Sequence, residues 1–246
     1  MNTRFTEDMA VKDIVVQFPQ TRTMLETLGI DYCCGGKMAL GKAAEQAGLS
    51  TDKVLADLTQ ALERTDQHTA SVRDWSSTSL TELVNHIEQT HHVFMKEQLP
   101  RIAGLLDKTL NAHGERHGDM LKVLKHSYTS LKTDIEMHLE KEEQILFPLI
   151  RQMEAFKQGR GPVPDMHCGS ISNPIRQMEH EHDVAGQFLM KMRQITDNYK
   201  LPDDACPTFT ALFEGLDALE KDLHEHIHLE NNILFPKAEG LEGPNH

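Results

Sequence analysis

Two stretches of the chain share one pattern of metal-ligating residues. His138-Leu139-Glu140-Lys141-Glu142-Glu143-Gln144-Ile145-Leu146-Phe147-Pro148 returns as His226-Ile227-His228-Leu229-Glu230-Asn231-Asn232-Ile233-Leu234-Phe235-Pro236. Each copy places a histidine four residues ahead of a glutamate, which on an α-helix means one face and adjacent turns. An imidazole and a carboxylate so disposed suit a transition-metal ion, and the repeat implies a pseudo-twofold site for one pair of metals. The chain holds 15 histidines against one Trp and three Tyr, an excess that itself directs attention to metal binding.

Periodicity assigns these pairs to buried faces. Leu121, Leu124, Tyr128, Leu131, Ile135, His138, Glu142, Ile145 and Leu149 alternate gaps of three and four, the spacing of a bundle seam, and Phe209, Leu212, Leu216, Leu219, Leu223, His226, Glu230 and Ile233 do the same. The bland alternative is a set of ordinary buried polar residues. It is costly, because an unpaired buried ion costs several kcal/mol while a whole domain is stable by only ~5–15 kcal/mol. No Lys or Arg interrupts either seam, so metal cations are the natural neutralising charges.

A third seam, Ile175, Met178, His182, Ala185, Leu189 and Met192, turns His182 inward and leaves His180 off the stripe. In the first helix of this region two stripes compete, and either His91 or His92 can face the core. One histidine from each of these helices completes a set of four imidazoles and two carboxylates. Glutamates shared between two metals, with two histidines on each, leave positions that iron fills more readily than tetrahedral zinc. Ferritin-like bundles use Glu-x-x-His and lone Glu instead, which argues against an iron-storage oxidase. His224 and His228, among Asp222, Glu225 and Glu220, read as solvated, and His86, His117 and His126 have no ligand company in the sequence. Cys33 and Cys34 are either small buried residues packing a turn or, since they precede Gly35-Gly36 and a helix expected near Met38 whose dipole would stabilise thiolates, the candidate reactive thiols. Cys168 and Cys206 have no assignment.

The elements that must position these residues are all helical. Four long helices are predicted at 79–110, 118–157, 173–199 and 205–237, with loops at His113-Gly114-Glu115, Gly159-Arg160-Gly161-Pro162 and Leu201-Pro202-Asp203. Ser79-Leu80-Thr81-Glu82 is a helix-start signal and Asn173-Pro174 another. An antiparallel four-helix bundle over 79–246 follows. Ahead of it, residues 1–66 form a small helical domain, with a polar linker from about Arg64 to Ser77. The class is all-α.

Composition narrows the function. The formal charge of −13 is spread along the chain, which excludes a nucleic-acid surface. No segment reaches the ~20 apolar residues of a membrane span and no signal-type apolar run opens the chain, so a cytoplasmic location is expected. Adjacent Cys33 and Cys34, with Cα atoms ~3.8 Å apart, are a poor structural disulfide.

With Asp31-Tyr32-Cys33-Cys34-Gly35-Gly36-Lys37 near the amino terminus and His138 to Pro148, Glu181-His182-Asp183 and His226 to Pro236 after it, the chain resembles the iron–sulfur cluster repair di-iron proteins, the Repair of Iron Centres family. The resemblance covers nearly the whole chain. It implies a hemerythrin-like bundle holding two irons, oxo- and carboxylate-bridged, on His92, His138, Glu142, His182, His226 and Glu230, with both glutamates bridging. The first-helix ligand falls at His92 through the family pattern around Glu97-Gln98-Leu99-Pro100; histidines at His91 and His180 depart from that pattern. It also implies transient partners, iron–sulfur proteins damaged by nitrosative or oxidative stress, and oxygen or nitric oxide as a ligand. An oxygen- or nitric-oxide-binding sensor and a nitric-oxide-reducing enzyme are the competing classes. A Cys-Cys-Gly-Gly segment has no evident use in a simple oxygen carrier.

Overall fold

The computed structural model describes residues 4–33, 35–65, 74–165 and 169–242. Cys34, Cys168 and most of the expected linker, residues 66–73, lie outside the described residues. Among the described residues all regular structure is helical, and the only β-type pairing is a bridge between Ala10 and Ala39. No helix of these residues is long and apolar enough to cross a membrane.

The chain divides into two compact units, Met1–Ser79 with Ile227–Pro236, and Leu80–His226 with Lys237–His246. The division falls inside the last bundle helix, so residues 227–236 count with the first unit while remaining turns of a helix that begins and ends in the second.

In the first unit, α1 (Val11–Gln17), α2 (Arg22–Thr27), α3 (Leu40–Gln46) and α4 (Thr51–Thr65) are the short helices expected from the apolar spacing. Val11, Ile14, Val15, Leu25, Leu40, Val54 and Leu58 are fully buried among them. The loop between α2 and α3 is folded by Asp31, whose carboxylate accepts from the backbone N–H of Cys33 (2.9 Å) and of Gly35 (2.8 Å). Gly36 is required here, since a Cβ would sit 2.4 Å from the Tyr32 carbonyl oxygen. Asn232 donates to that same carbonyl at 3.1 Å, and the Tyr32 ring meets His228 edge to face at 5.5 Å. Trp75, within the stretch expected to be linker, is buried in a short 3₁₀ turn capped by Asp74.

The second unit begins with α5 (Leu80–Ile87), runs through the π-helical turn Glu88–His92 and continues as α6 (Val93–Lys141). A straight helix would hold Leu99 and Tyr128 ~44 Å apart. Instead the Tyr128 hydroxyl donates to the Leu99 carbonyl at 2.8 Å, and Lys125 pairs with Asp107 at 2.6 Å. The helical run therefore doubles back between Asp107 and Lys125. The loop expected at His113-Gly114-Glu115 is absent as a non-helical segment, and the reversal is made within helical residues.

A second π-helical turn, Glu142–Leu146, leads into α7 (Phe147–Lys157). α8 (Ser172–Ile195) is shorter than expected. It is followed by Asp197, Asn198 and Tyr199, all at positive φ (49°, 58° and 57°), a conformation that L-residues adopt at a cost. Tyr199 is anchored by donating its hydroxyl to Glu220 at 2.7 Å. The last helix is α9 (Pro207–Leu229), the π-helical turn Glu230–Leu234 and α10 (Phe235–Glu242).

One consequence of the π turns was not legible in the seams. The extra residue in the turn after Glu142 slips the face by one position. Leu146, Phe147 and Ile150 are buried, while Ile145, expected in the seam, is 60% exposed.

Candidate metal centre

Three of the four segments that carry metal-type ligands do so at a π turn. His92 ends the first such turn, and Glu142 and Glu230 open the second and third, each four residues after its histidine. α8, which carries His182, has no such turn. π turns recur at functional sites because the added residue re-aims side chains that a regular helix would turn away.

The structure brings His92, His138, Glu142, His182, His226 and Glu230 together, all at most 5% exposed. They form two groups, His92, Glu142, His226 and Glu230, and His138, Glu142, His182 and Glu230, within each of which one ligand atom per residue lies within 4.8 Å of the others. Both groups contain both glutamates. Glu142 divides its oxygens between them: Oε1 lies 3.3 Å from His138 Nε2, whereas Oε2 lies 3.4 Å from His92 Nε2 and 3.8 Å from His226 Nε2. His138 Nε2 and His182 Nε2 are 3.1 Å apart, aimed at one point.

The donor set fits an iron pair. Each half offers two imidazoles and a share of two carboxylates, and leaves room for oxygen ligands. Surrounding carboxylates fix the rings. Glu143 binds His92 Nδ1 at 2.8 Å and Glu181 binds His138 Nδ1 at 3.0 Å, which directs each Nε2 inward. Burial pushes the Glu181 carboxyl up, but hydrogen bonds from His138, Lys141 and Gln177 outweigh it and hold the group at about 2. Burial, helped by the neighbouring His92, His91 and His182 and opposed by Glu142, keeps His226 well below the usual imidazole range, in the neutral form that binds metals.

The two stripes of the first helix are resolved in space. His92 is in the cluster; His91 is equally buried but bonds Asp222 through Nδ1 at 3.0 Å, and its ring stacks on that of His226 at 5.9 Å. His180 is exposed. His228 is not solvated as its neighbours suggested. It is buried against Tyr32 and bonded to Asn232 at 2.9 Å, and burial lowers its imidazole to about 3.

Cys33 is buried, with Sγ 3.3 Å from Asp31 Oδ1. The helix expected to bear on it starts only at Leu40, so the charge at hydrogen-bonding distance is the Asp31 carboxylate. His117 does have ligand company, since His113, His117 and Asp204 form a third group at the reversal of α6. Asp204 follows in a later loop, which hid this grouping in the sequence.

Sequence reasoning also missed a second layer of the repeat. Glu154 accepts from the N–H groups of Leu80 (2.8 Å) and Thr81 (2.9 Å) and so caps the start of α5. Glu242, at the offset that separates His138 from His226, accepts from Ile171 N–H (2.9 Å) and Ser170 Oγ (2.8 Å) at the start of α8. The signal available was a glutamate sixteen residues after each repeat histidine.

A four-helix bundle with paired histidines and two shared glutamates defines a hemerythrin-type domain, the kind that holds a di-iron centre. Residues 83–238 match the hemerythrin HHE cation binding domain, and residues 7–62 match the ScdA_N domain, of unknown function. The iron-sulfur cluster repair protein YtfE of Enterobacter sp. (strain 638) is 36% identical over 231 residues, 94% of this chain and 96% of that protein. The YtfE proteins of Escherichia coli O81 (strain ED1a) and Escherichia fergusonii are 36% and 35% identical over the same shares. The chain belongs to this family of iron–sulfur cluster repair proteins with a hemerythrin domain.

Proposed function

We infer that this chain is a cytoplasmic di-iron protein that restores iron–sulfur clusters damaged by nitrosative or oxidative stress in other proteins. His92 and His226 would hold one iron and His138 and His182 the other, with Glu142 and Glu230 shared between the two groups. The observation that carries this reading is the membership of both glutamates in both groups, with the Glu142 oxygens directed one to each side. When bound, the iron pair supplies one-electron exchange and a place for a diatomic such as nitric oxide or oxygen. The residues of the chain orient the imidazoles and exclude bulk water from the buried cluster.

Repair requires contact with damaged iron–sulfur proteins, which are the partners this function implies. Cys33 and Cys34 are assigned to handling iron or nitric oxide in transit, separately from metal binding. The test uses the full chain, loaded anaerobically with ferrous iron, added to an iron–sulfur enzyme inactivated by nitric oxide. Enzyme activity should return with the loaded protein and not with its Glu142→Ala, Glu230→Ala variant. Equal recovery with the metal-free protein would defeat the reading.

A further inference from the structure

Away from the buried cluster, His113 and His117 lie where α6 doubles back, four residues apart, and Asp204 approaches them from the loop before α9. Their ligand atoms lie within 4.8 Å of one another. The group is organised on both sides. Both imidazoles meet the fully buried Phe209 ring edge to face, at 5.2 Å for His113 and 5.7 Å for His117. Asp204 bonds His117 Nε2 through Oδ1 at 2.8 Å, and Arg116 holds its Oδ2 at 3.0 Å. An apolar wall beneath two histidines and a carboxylate fixed by its second oxygen are the supports that metal ligands ordinarily have.

We propose that His113, His117 and Asp204 form a second metal site, for a single divalent ion of the zinc type, independent of the iron pair. Two imidazoles and a carboxylate are a common donor set for zinc, at ~2.0–2.2 Å from the ion. Ligand atoms of a tetrahedral ion at that distance lie ~3.3 Å apart. The His117–Asp204 pair therefore has to open by only about half an ångström to admit one. Three protein ligands leave one tetrahedral place. The site is open to solvent at His117 and Asp204, whose side chains are 24% and 32% exposed, so it can load and release its ion without unfolding the bundle. A plain surface ion pair would need only one of the two histidines.

The test titrates zinc chloride into the iron-loaded full chain and counts both metals after desalting. One zinc should be retained beyond the iron pair, with iron unchanged. The His113→Ala, His117→Ala double variant and, separately, Asp204→Asn should weaken zinc binding by more than about tenfold and keep their iron. Alanine favours helix at these positions and asparagine preserves shape, so circular dichroism and iron content should report folded proteins. Failure to retain zinc beyond the iron, zinc taken up only by displacing iron, or undiminished binding by the double variant would each overturn the proposal.

Discussion

The two copies of the histidine–glutamate repeat start from nearly one sequence and end in different surroundings. In the first, Ile145 points to solvent and the face beyond Glu142 is built by Leu146, Phe147 and Ile150. In the second, the equivalent Ile233 is buried, and His228 and Asn232 pack on Tyr32 within the N-terminal unit. The offset from histidine to glutamate, the π turn and the distant capping glutamate are common to both. Ligand placement is thus a local property of the helix and its π turn. What covers each copy is decided by the rest of the chain.

The largest effect should come where the copies are equivalent. Glu142→Ala and Glu230→Ala should each abolish binding of the iron pair, because each residue belongs to both groups. Glu140→Ala and Glu225→Ala should leave iron content near wild type by atomic absorption. Equal content in all four variants would remove the basis for treating the glutamates as shared. In the first helix of the bundle, His92→Ala should cost most of the iron and His91→Ala much less, since His91 is engaged with Asp222. The reverse order would move the ligand by one residue.

Where the copies differ, stability should differ too. His228→Ala removes a buried ring and should cost about 3 kcal/mol in denaturant unfolding. Glu140, its counterpart in the first copy, is exposed, so Glu140→Ala should be nearly neutral. Similar costs at the two positions would show that the second copy is not held as described.

The smallest effect concerns the capping glutamates. Burial raises the Glu154 carboxyl, but its hydrogen bonds with Thr81 and Leu80 prevail and lower it below the ordinary value of 4.5. A group depressed in the folded state contributes stability above its unfolded value, and the contribution is lost as pH falls through the folded one. Unfolding of the metal-free chain between about pH 6 and about pH 3 should therefore lose part of its pH dependence in Glu154→Gln. At neutral pH that variant should cost about 1 kcal/mol, as for a lost helix cap. An unchanged pH profile would mean that the cap does not contribute.

The helical class and the seams through His138 and His226 were legible in the sequence because apolar spacing and ligand spacing coincide there. The competition between His91 and His92 was not, since a π turn advances the backbone by a residue and both histidines are buried. Ile145 lies in a different π turn, Glu142–Leu146, and was misplaced there. The reversal inside α6 escaped a reading that expects a loop at Gly114, because the helix closes on itself without leaving helical geometry. His117 and His228 were misjudged for a shared reason: their partners, Asp204 and Tyr32, are distant in the chain. The resemblance carried what spacing did not, including the assignment of the first-helix ligand and the link to cluster repair.

Two histidine pairs with Glu142 and Glu230 shared between them would hold one coupled pair of irons. Mössbauer spectroscopy of the full chain, reconstituted anaerobically with Mössbauer-active iron and then oxidised, tests it most directly. Two irons per chain with the signature of a spin-coupled diferric pair are expected, and loss of that signature in Glu142→Ala and in Glu230→Ala. A single uncoupled iron in the wild-type chain, or a coupled pair that survives either substitution, would contradict it.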